Sequence, residues 1–423
     1  MFSRSKYILI LSVVLSILGC GTSNESSVGI SDPVDIQRPD LVGELEVEST
    51  SEFGSWYTLG NYQGVPGYSG PMATYTSSHT PVAVMFNQSV YTTFSSNVNG
   101  YIQIFVKKDD EPAVLVTELT HTNDPHQNAS LNIDKDGYIW VFVSSRGVAK
   151  KGYIYKSTLP RVLDFRLQSE NYFAYPQPWF TDRGLSLLYT GYEKESETNW
   201  YLRTIRHQGN GCDAKVVDGG HYFVSHLHDN TLHVFYNWTP SGNVSHRKNL
   251  YYIKSEDGGC TWQNREGIEL SLPIAPDEPL AMVFDSGANN VFLSDAYVND
   301  EAPVMLFVTS RSSNPRYGPH KAMLYRPEGV EFITDIGHQY NVGYYYSHNN
   351  DEFIVMPTTG IEYYAGGDMV LFRKSQEGWA PVSLAQGNFN YARRVYKGHG
   401  HGIVGEGNPE TLSPVNLYNI HIR

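Results

Sequence analysis

The stretch Ser255-Glu256-Asp257-Gly258-Gly259-Cys260-Thr261-Trp262 decides the fold of this 423-residue chain. It has the form S-x-D-x-G-x-T-W. An aspartate side chain accepts backbone hydrogen bonds in a tight turn, glycines adopt the backbone angles that such a turn requires, and a tryptophan packs between sheets. A degenerate copy stands at Ser375-Gln376-Glu377-Gly378-Trp379. We therefore interpret the stretch as a structural turn of a repeating β protein.

The rest of the chain supports this interpretation. Short β-branched and aromatic runs alternate with Asn-Gly, Asp-Gly and Gly-Gly turns, and helix signals are almost absent. Groups of such strands recur about every fifty residues. The pattern predicts an all-β fold, a seven-bladed β-propeller within a range of six to eight blades. A pair of β-sandwiches or a β-helix is the alternative, although the short regular rungs of a β-helix are missing.

The N-terminus resembles a bacterial lipoprotein signal. Arg4 and Lys6 precede an apolar run that ends at Leu18-Gly19-Cys20 and is too short for a membrane span. We expect residues 1–19 to be a signal peptide, 20–47 a flexible tether and 48–423 a catalytic propeller domain. The protein would then be exported and anchored to the membrane, at the outer membrane or cell surface, through lipidated Cys20. A plain secretory signal is the alternative.

Charge and cysteine content limit the partners. The net charge of −13 excludes a general basic field for nucleic acid, so an anionic ligand requires a local basic patch.

Outside the cytoplasm, Cys212 and Cys260 are expected to form a disulfide. Alternatively they share a structural zinc with a nearby histidine such as His207, since thiolate and imidazole ligands favour zinc.

The best candidate for chemistry is His126, in the run Asp124-Pro125-His126-Gln127-Asn128 ahead of a hairpin closed by Asp136-Gly137. By itself it also fits an ordinary hydrogen-bonded loop histidine. Other polar and aromatic candidates cluster in the same part of the chain, which favours a functional site. They are Asn128, Arg146, Tyr189, Tyr192, Arg203, Arg206, His226, His246, Arg247, Lys248 and Tyr251. Arg203 and Arg206 face opposite sides of a regular strand because they are three residues apart.

Such a cluster is suited to β-elimination on a uronic-acid polysaccharide. A cation neutralises the substrate carboxylate and thereby eases removal of the neighbouring C5 proton. A histidine or tyrosinate accepts that proton, and an acid such as tyrosine protonates the leaving oxygen. The reaction requires no cofactor. Each tyrosine and arginine, taken singly, also fits a role in packing or in surface ion pairs.

Three segments resemble the BNR-repeat propellers, and among these the ulvan lyases, seven-bladed enzymes that cleave a sulfated algal polysaccharide. They are the Asp-Pro-His-Gln-Asn run, the Leu-Tyr-Thr-Gly-Tyr strand that ends at Tyr192, and the stretch from Arg247 to Tyr252. The resemblance implies that His126 is the catalytic histidine, Tyr189 or Tyr192 the catalytic tyrosine, and Arg203 or Arg206 the carboxylate-neutralising arginine. Some relatives carry a second histidine where this chain has Arg146, and such lyases also hold structural metals.

The first hypothesis is therefore a monomeric, surface-anchored lyase of an anionic polysaccharide. Arg146, Arg247 and Lys248 would bind its sulfate or carboxylate groups, with Asn128, His226, His246 and Tyr251 as further contacts. A sialidase-type hydrolase is the second hypothesis, supported by the aspartate turn, although arginines are scarce between residues 39 and 145. A non-catalytic sugar-binding lipoprotein is the third.

Overall fold

The computed structural model describes residues 47–420 except 52–53, 64–76, 99–100, 110, 121–123, 194–195, 208–211, 220–221, 241–243, 312–317, 342, 362–365, 399 and 407–411. The predicted signal peptide, Cys20 and residues 21–46 of the predicted tether lie outside the described residues. Within the described part, no helix is long and apolar enough to cross a membrane.

The strands of the described residues form seven antiparallel sheets, which confirms the predicted β-propeller. The strands are β1 (Val47–Ser51), β2 (Gly54–Gln63), β3 (Ala83–Phe86), β4 (Ser89–Val98), β5 (Tyr101–Lys108), β6 (Val114–Leu119), β7 (Ala129–Ile133), β8 (Ile139–Val143), β9 (Gly152–Ser157), β10 (Phe165–Asn171), β11 (Ala174–Thr181), β12 (Gly184–Glu193), β13 (Ser196–His207), β14 (Asp213–Asp218), β15 (Phe223–His228), β16 (Thr231–Trp238), β17 (Lys248–Ser255), β18 (Trp262–Gln263), β19 (Glu269–Leu270), β20 (Met282–Phe284), β21 (Asn290–Asn299), β22 (Ala302–Ser310), β23 (His320–Arg326), β24 (Gly329–Ile336), β25 (Tyr344–His348), β26 (Asp351–Pro357), β27 (Met369–Ser375), β28 (Gly378–Ala385), β29 (Phe389–Arg394), β30 (His401–Glu406) and β31 (Leu412–Ile420). Short 3-10 turns span Pro125–Gln127 and Pro279–Ala281.

Each blade is one of these sheets. Blades 1, 2, 3, 5 and 6 have four strands each, namely β3–β6, β7–β10, β11–β14, β21–β24 and β25–β28. Blade 4 extends over β15–β20, and blade 7 joins β29–β31 to β2 and β1. The last strand therefore pairs with an early one, with Gly54 opposite Ile420, and this pairing closes the ring.

The local turns form as their sequences predict. The carboxylate of Asp257 accepts hydrogen bonds from Ser255 Oγ at 2.8 Å and from the backbone N–H groups of Cys260 and Thr261 at 2.9 and 3.0 Å. Trp262 is fully buried beside this turn. Such turns join strands whose apolar faces pack between neighbouring blades.

The first strand of each blade from 1 to 6 contacts the first strand of the next blade. A backbone bridge between Val84 and Tyr396 joins the last blade to the first. These strands surround a central channel. Residues just before or at the start of them, such as His126 and Tyr175, lie at one rim of that channel.

Candidate active site

A single carboxylate holds together the two most promising side chains at the rim. Asp124 Oδ1 accepts the backbone N–H of His126 at 3.0 Å and contacts Nδ1 of the same residue. Its Oδ2 accepts the Nε–H of Arg146 at 2.7 Å. Burial by itself raises the pKa of Asp124, but His126 and Arg146 outweigh burial and hold the pKa well below its usual range. The ionised carboxylate therefore fixes both the imidazole and the guanidinium.

Tyr175 completes this group, and the sequence analysis missed it. Its ring lies 6.2 Å from the His126 ring, edge to face. Burial lowers the pKa of Arg146, whereas Tyr175 and Asp124 raise it, and the net shift is upward. Tyr175 has a left-handed backbone with a φ of 53°, which is a strained conformation for a tyrosine. The neighbouring prolines Pro176 and Pro178 were a signal that this strand begins irregularly.

A second histidine, His79, forms a hydrogen bond with the backbone of His126. His79 is fully buried, and its Nε2 donates to the backbone carbonyl of His126 at 3.1 Å. Its ring lies 5.3 Å from that of Tyr175. Arg393 in turn donates to the carbonyl of His79 at 3.1 Å. No sequence pattern predicted these contacts, because they join blades that are distant in the chain.

The structure separates the two candidate tyrosines of β12. Tyr189 is 5% exposed and packs in an apolar cluster with Trp140 and Phe173. Tyr192 is partly exposed near the end of the strand and contributes to the electrostatic environment of Arg146. Exposure therefore favours Tyr192 for contact with a ligand.

The two candidate arginines of β13 differ in register. Arg203 pairs with Tyr189, whereas Arg206 pairs with Ser186 and so lies about 10 Å farther along the strand. The end of β11 that carries Tyr175 is opposite Thr190 of β12. Arg203 thus has the backbone position nearer the rim. The side chains of both arginines lie outside the described part of the structure.

Arg247, just before β17 of blade 4, is linked to Tyr175 through the ring of Tyr222. Its guanidinium lies 4.1 Å from the centre of the Tyr222 ring and donates to the Tyr340 hydroxyl at 3.2 Å. Tyr222 is itself 5.9 Å from Tyr175, ring to ring. Arg247 is only 7% exposed, so it presents little more than an edge of the guanidinium. His246 beside it is exposed.

Four predicted substrate contacts have side chains that are buried or hydrogen-bonded within the fold, and we do not carry them into the proposal below. Asn128 is fully buried, and its Oδ1 accepts from Ser95 Oγ at 2.9 Å. Tyr251 is 1% exposed. His226 is 6% exposed inside the channel, 5.4 Å from the Tyr297 ring. The ammonium of Lys248 donates to three consecutive backbone carbonyls at 3.0–3.2 Å, those of residues 287–289.

The two cysteines of the zinc hypothesis are paired with each other in the structure. Cys212 and Cys260 form a disulfide that links blade 3 to the aspartate turn of blade 4, so neither sulfur is a thiolate ligand. The side chain of His207 lies outside the described part. Among the described residues, no three His, Cys, Asp or Glu side chains are grouped to hold a metal ion.

The chain belongs to the BNR repeat-containing family, whose model matches residues 89–353. No curated protein matches the chain.

Several solved structures have a similar fold. An ulvan lyase of polysaccharide lyase family PL25 has a TM-score of 0.63 at 14% identity, over 85% of this chain and 94% of that chain. An ulvan lyase of this family bound to -[GlcA(1-4)Rha3S]- has a TM-score of 0.62 at 14% identity, with the same coverage. The polysaccharide lyase Uly1 has a TM-score of 0.58 at 12% identity, over 86% of this chain and 97% of that chain. At such low identity these likenesses show the propeller fold.

Proposed function

We propose that the protein is a polysaccharide lyase that cleaves ulvan, a sulfated polysaccharide containing uronic acid, by β-elimination. The observation that carries the proposal is the bridge from Asp124 to His126 and Arg146, with Tyr175 beside it. It brings a positioned base and a cation to one place at the rim. Proton abstraction next to a carboxylate needs this combination.

His126 is the proposed base. Asp124 bonds its Nδ1, so Nε2 is the nitrogen that takes the C5 proton of the uronate. The electrons of the C5–H bond form the C4–C5 double bond, and the C4–O glycosidic bond breaks. Asp124 stabilises the imidazolium that forms, because its carboxylate remains ionised.

Cations would neutralise the uronate carboxylate. The side chain of Arg146 is about two-fifths exposed and is held beside His126 by Asp124. Arg146 is therefore our first proposed cation for the uronate carboxylate. Arg203 is the second proposed cation, on the register of β13. Tyr192 is the proposed acid for the leaving oxygen, and His246 and Arg247 are proposed contacts for neighbouring sulfate or carboxylate groups.

The resemblance in fold supports the substrate. One similar structure is an ulvan lyase bound to -[GlcA(1-4)Rha3S]-, an alternation of glucuronic acid and a sulfated sugar. An anionic polymer of this kind suits a rim where one cation is held by the half-buried carboxylate of Asp124 and another by aromatic rings. We also propose that the protein is exported, anchored through Cys20 and monomeric; replacing Cys20 by serine should then release it from the membrane fraction.

The test is incubation of the purified protein with ulvan and with other uronate polymers. A lyase produces unsaturated uronate, which is seen as new ultraviolet absorbance, and His126→Ala should lose it while retaining polymer binding. Since the proposed chemistry uses no metal ion, activity should persist in EDTA. New reducing ends without unsaturation would instead indicate a hydrolase. Binding that yields no products and does not depend on His126 would indicate a carbohydrate-binding lipoprotein.

A further inference from the structure

Tyr175 acts on both of the groups that Asp124 holds. Its ring lies edge to face against the His126 imidazole, with the ring centres 6.2 Å apart and the planes at 71°. Burial lowers the pKa of Arg146, and Tyr175 and Asp124 are the groups that oppose burial most strongly. The hydroxyl end of Tyr175 is therefore close enough to the Arg146 guanidinium to act on its charge. The proposed base and the proposed cation thus share one carboxylate and one tyrosine as neighbours.

The backbone of Tyr175 is strained, and the surrounding blades hold it in place. Its φ of 53° is left-handed, which bulky residues rarely adopt, and the next residue, Pro176, restricts the backbone before it still further. The Tyr175 N–H donates to Ser144 Oγ at 3.0 Å. Ser130 Oγ donates to the Pro176 carbonyl, and the Gln177 amide donates to two backbone carbonyls at 3.0 and 3.1 Å. The direction of the Tyr175 side chain is therefore set by the fold before any ligand binds.

The two groups on Asp124 need such a second contact. The bond from Arg146 to Asp124 uses the Nε–H, one of the five donors of a guanidinium. A bond at one nitrogen leaves some rotation of the plane about that bond, whereas a forked contact with a substrate carboxylate requires a fixed plane. The same holds for the His126 imidazole, which Asp124 contacts at Nδ1. Tyr175 is placed to limit the remaining rotation of both groups.

A second tyrosine with the same backbone provides a comparison. Tyr391 of β29, the first strand of blade 7, has a φ of 50° and is 3% exposed. The strand pairing shifts register at both tyrosines. A left-handed tyrosine in a first strand is therefore compatible with blade construction alone. Tyr175 differs from Tyr391 in belonging to the group around Asp124, and this difference makes Tyr391 a matched control.

We propose that Tyr175 is a positioning residue of the lyase reaction, whose ring orients the His126 imidazole and whose hydroxyl orients the Arg146 guanidinium. Base and cation are then aligned on one uronate before it binds. Tyr175 is 4% exposed, so it acts through these two residues and not as a substrate contact. The inference rests on the proposed function, in which His126 takes the C5 proton and Arg146 meets the carboxylate.

The first test compares two substitutions that each remove one buried hydroxyl and keep the ring. Tyr175→Phe should lower kcat/KM on ulvan roughly 10-fold, the size expected when a charged group loses a polar partner. Tyr391→Phe should keep kcat/KM within about twofold. Tyr175→Leu removes the ring as well and should lower kcat roughly a further 10-fold. Equal kcat/KM values for the two Phe variants would show that Tyr175 serves blade construction alone and would overturn the proposal.

A double-variant cycle tests whether the effect of Tyr175 passes through Arg146. In an Arg146→Gln background the guanidinium is gone, so adding Tyr175→Phe should change kcat/KM by less than about twofold. A merely structural role of the hydroxyl predicts that the losses of the two single variants multiply. Losses that multiply would therefore refute the proposal.

NMR gives a readout that does not depend on turnover. The Nε–H signal of Arg146 can be assigned by its loss in Arg146→Gln. Tyr175→Phe should speed the exchange of this proton with water, whereas Tyr391→Phe should leave it unchanged; the same exchange in Tyr175→Phe and the unchanged protein would count against the proposal. If no uronate polymer gave an unsaturated product, the proposed function would fail, and this signal would still decide whether Tyr175 orients Arg146. It also decides if Tyr175→Leu does not fold.

Discussion

Replacing Asp124 by asparagine is the sharpest test of the proposed base. The substitution keeps the shape of the side chain but removes the charge that faces both His126 and Arg146. An amide oxygen still accepts a hydrogen bond from Nδ1. The imidazolium that forms during proton abstraction nevertheless loses its counterion, and the effect should appear in kcat.

The expected fall in kcat follows from the difference in strength between a charged and a neutral hydrogen bond at Nδ1. Hydrogen bonds to charged groups contribute about 1.5–3 kcal/mol, compared with about 0.5–1.5 kcal/mol between neutral groups. Neutralising Asp124 should therefore cost the transition state about 1–2 kcal/mol, which is a fall in kcat of roughly 5- to 30-fold. KM should also shift, because Asp124 holds Arg146, the proposed contact to the uronate carboxylate; the fall in kcat is the readout that reports on His126.

The assay is the initial rate of ultraviolet absorbance on ulvan as a function of substrate concentration. Asp134→Asn is the matched control, because Asp134 lies at the other end of β7 and binds the backbone N–H of Tyr138 at 2.9 Å. The control should keep its kcat once folded. An Asp124→Asn variant with unchanged kcat and a normal Tm would refute the role of Asp124 in orienting and stabilising His126.

Three further predictions follow from the structure. Replacing Cys212 and Cys260 by serine should lower the free energy of unfolding by about 2–4 kcal/mol, since the disulfide closes a loop with a sequence separation of 48; a Tm equal to that of the unchanged protein would contradict this. Burial lowers the pKa of His233 to about 3, so the unfolded chain takes up a proton below pH 6.5 that the folded protein does not. Stability should therefore fall by about 1 kcal/mol from this residue between pH 6.5 and 5.5, and denaturant titrations of His233→Gln should show a correspondingly weaker pH dependence. Tyr192→Phe should lower kcat roughly 100-fold if Tyr192 is the acid, whereas Tyr189→Phe should spare it; equal losses would count against the assignment.

The fold was predictable because its determinants are local. The aspartate turn around Asp257 and the Asp136-Gly137 hairpin depend on side chain to backbone contacts within a few residues, and their spacing indicates repeated sheets. Ring closure was not predictable in this way. The pairing of β2 with β31 joins opposite ends of the described chain, from Gln63 with Leu412 to Gly54 with Ile420, and no local pattern specifies it. The additional strands of blade 4 pair with segments nearby in the chain, such as Lys254 with Gln263 and Tyr251 with Met282, but they are too short for the sequence pattern to indicate.

The candidate site was predicted in part. His126 and Arg146 were recognised as candidates at strand ends, and the structure brings them together on Asp124. The missing information was which face each strand buries. Tyr251 and Asn128 have the residue types of a sugar site, yet their positions in the blades turn them inward. Residue type and clustering alone do not distinguish a rim from an interior.

His126 lies just before the first strand of blade 2, and His226 lies in the first strand of blade 4. Their different surroundings determine whether each imidazole is suited to accept a proton. His126 has an ionised carboxylate on Nδ1 and a partly exposed side chain, so its ring is held in a fixed orientation where a ligand can reach it. His226 is enclosed by Trp179, Tyr297 and Tyr396, and burial keeps it neutral. A proton on that ring would also be repelled by the charge of Arg394. The same side chain therefore suits the proposed role of a base beside Asp124 and neutral packing inside the channel, and the neighbouring carboxylate separates the two environments.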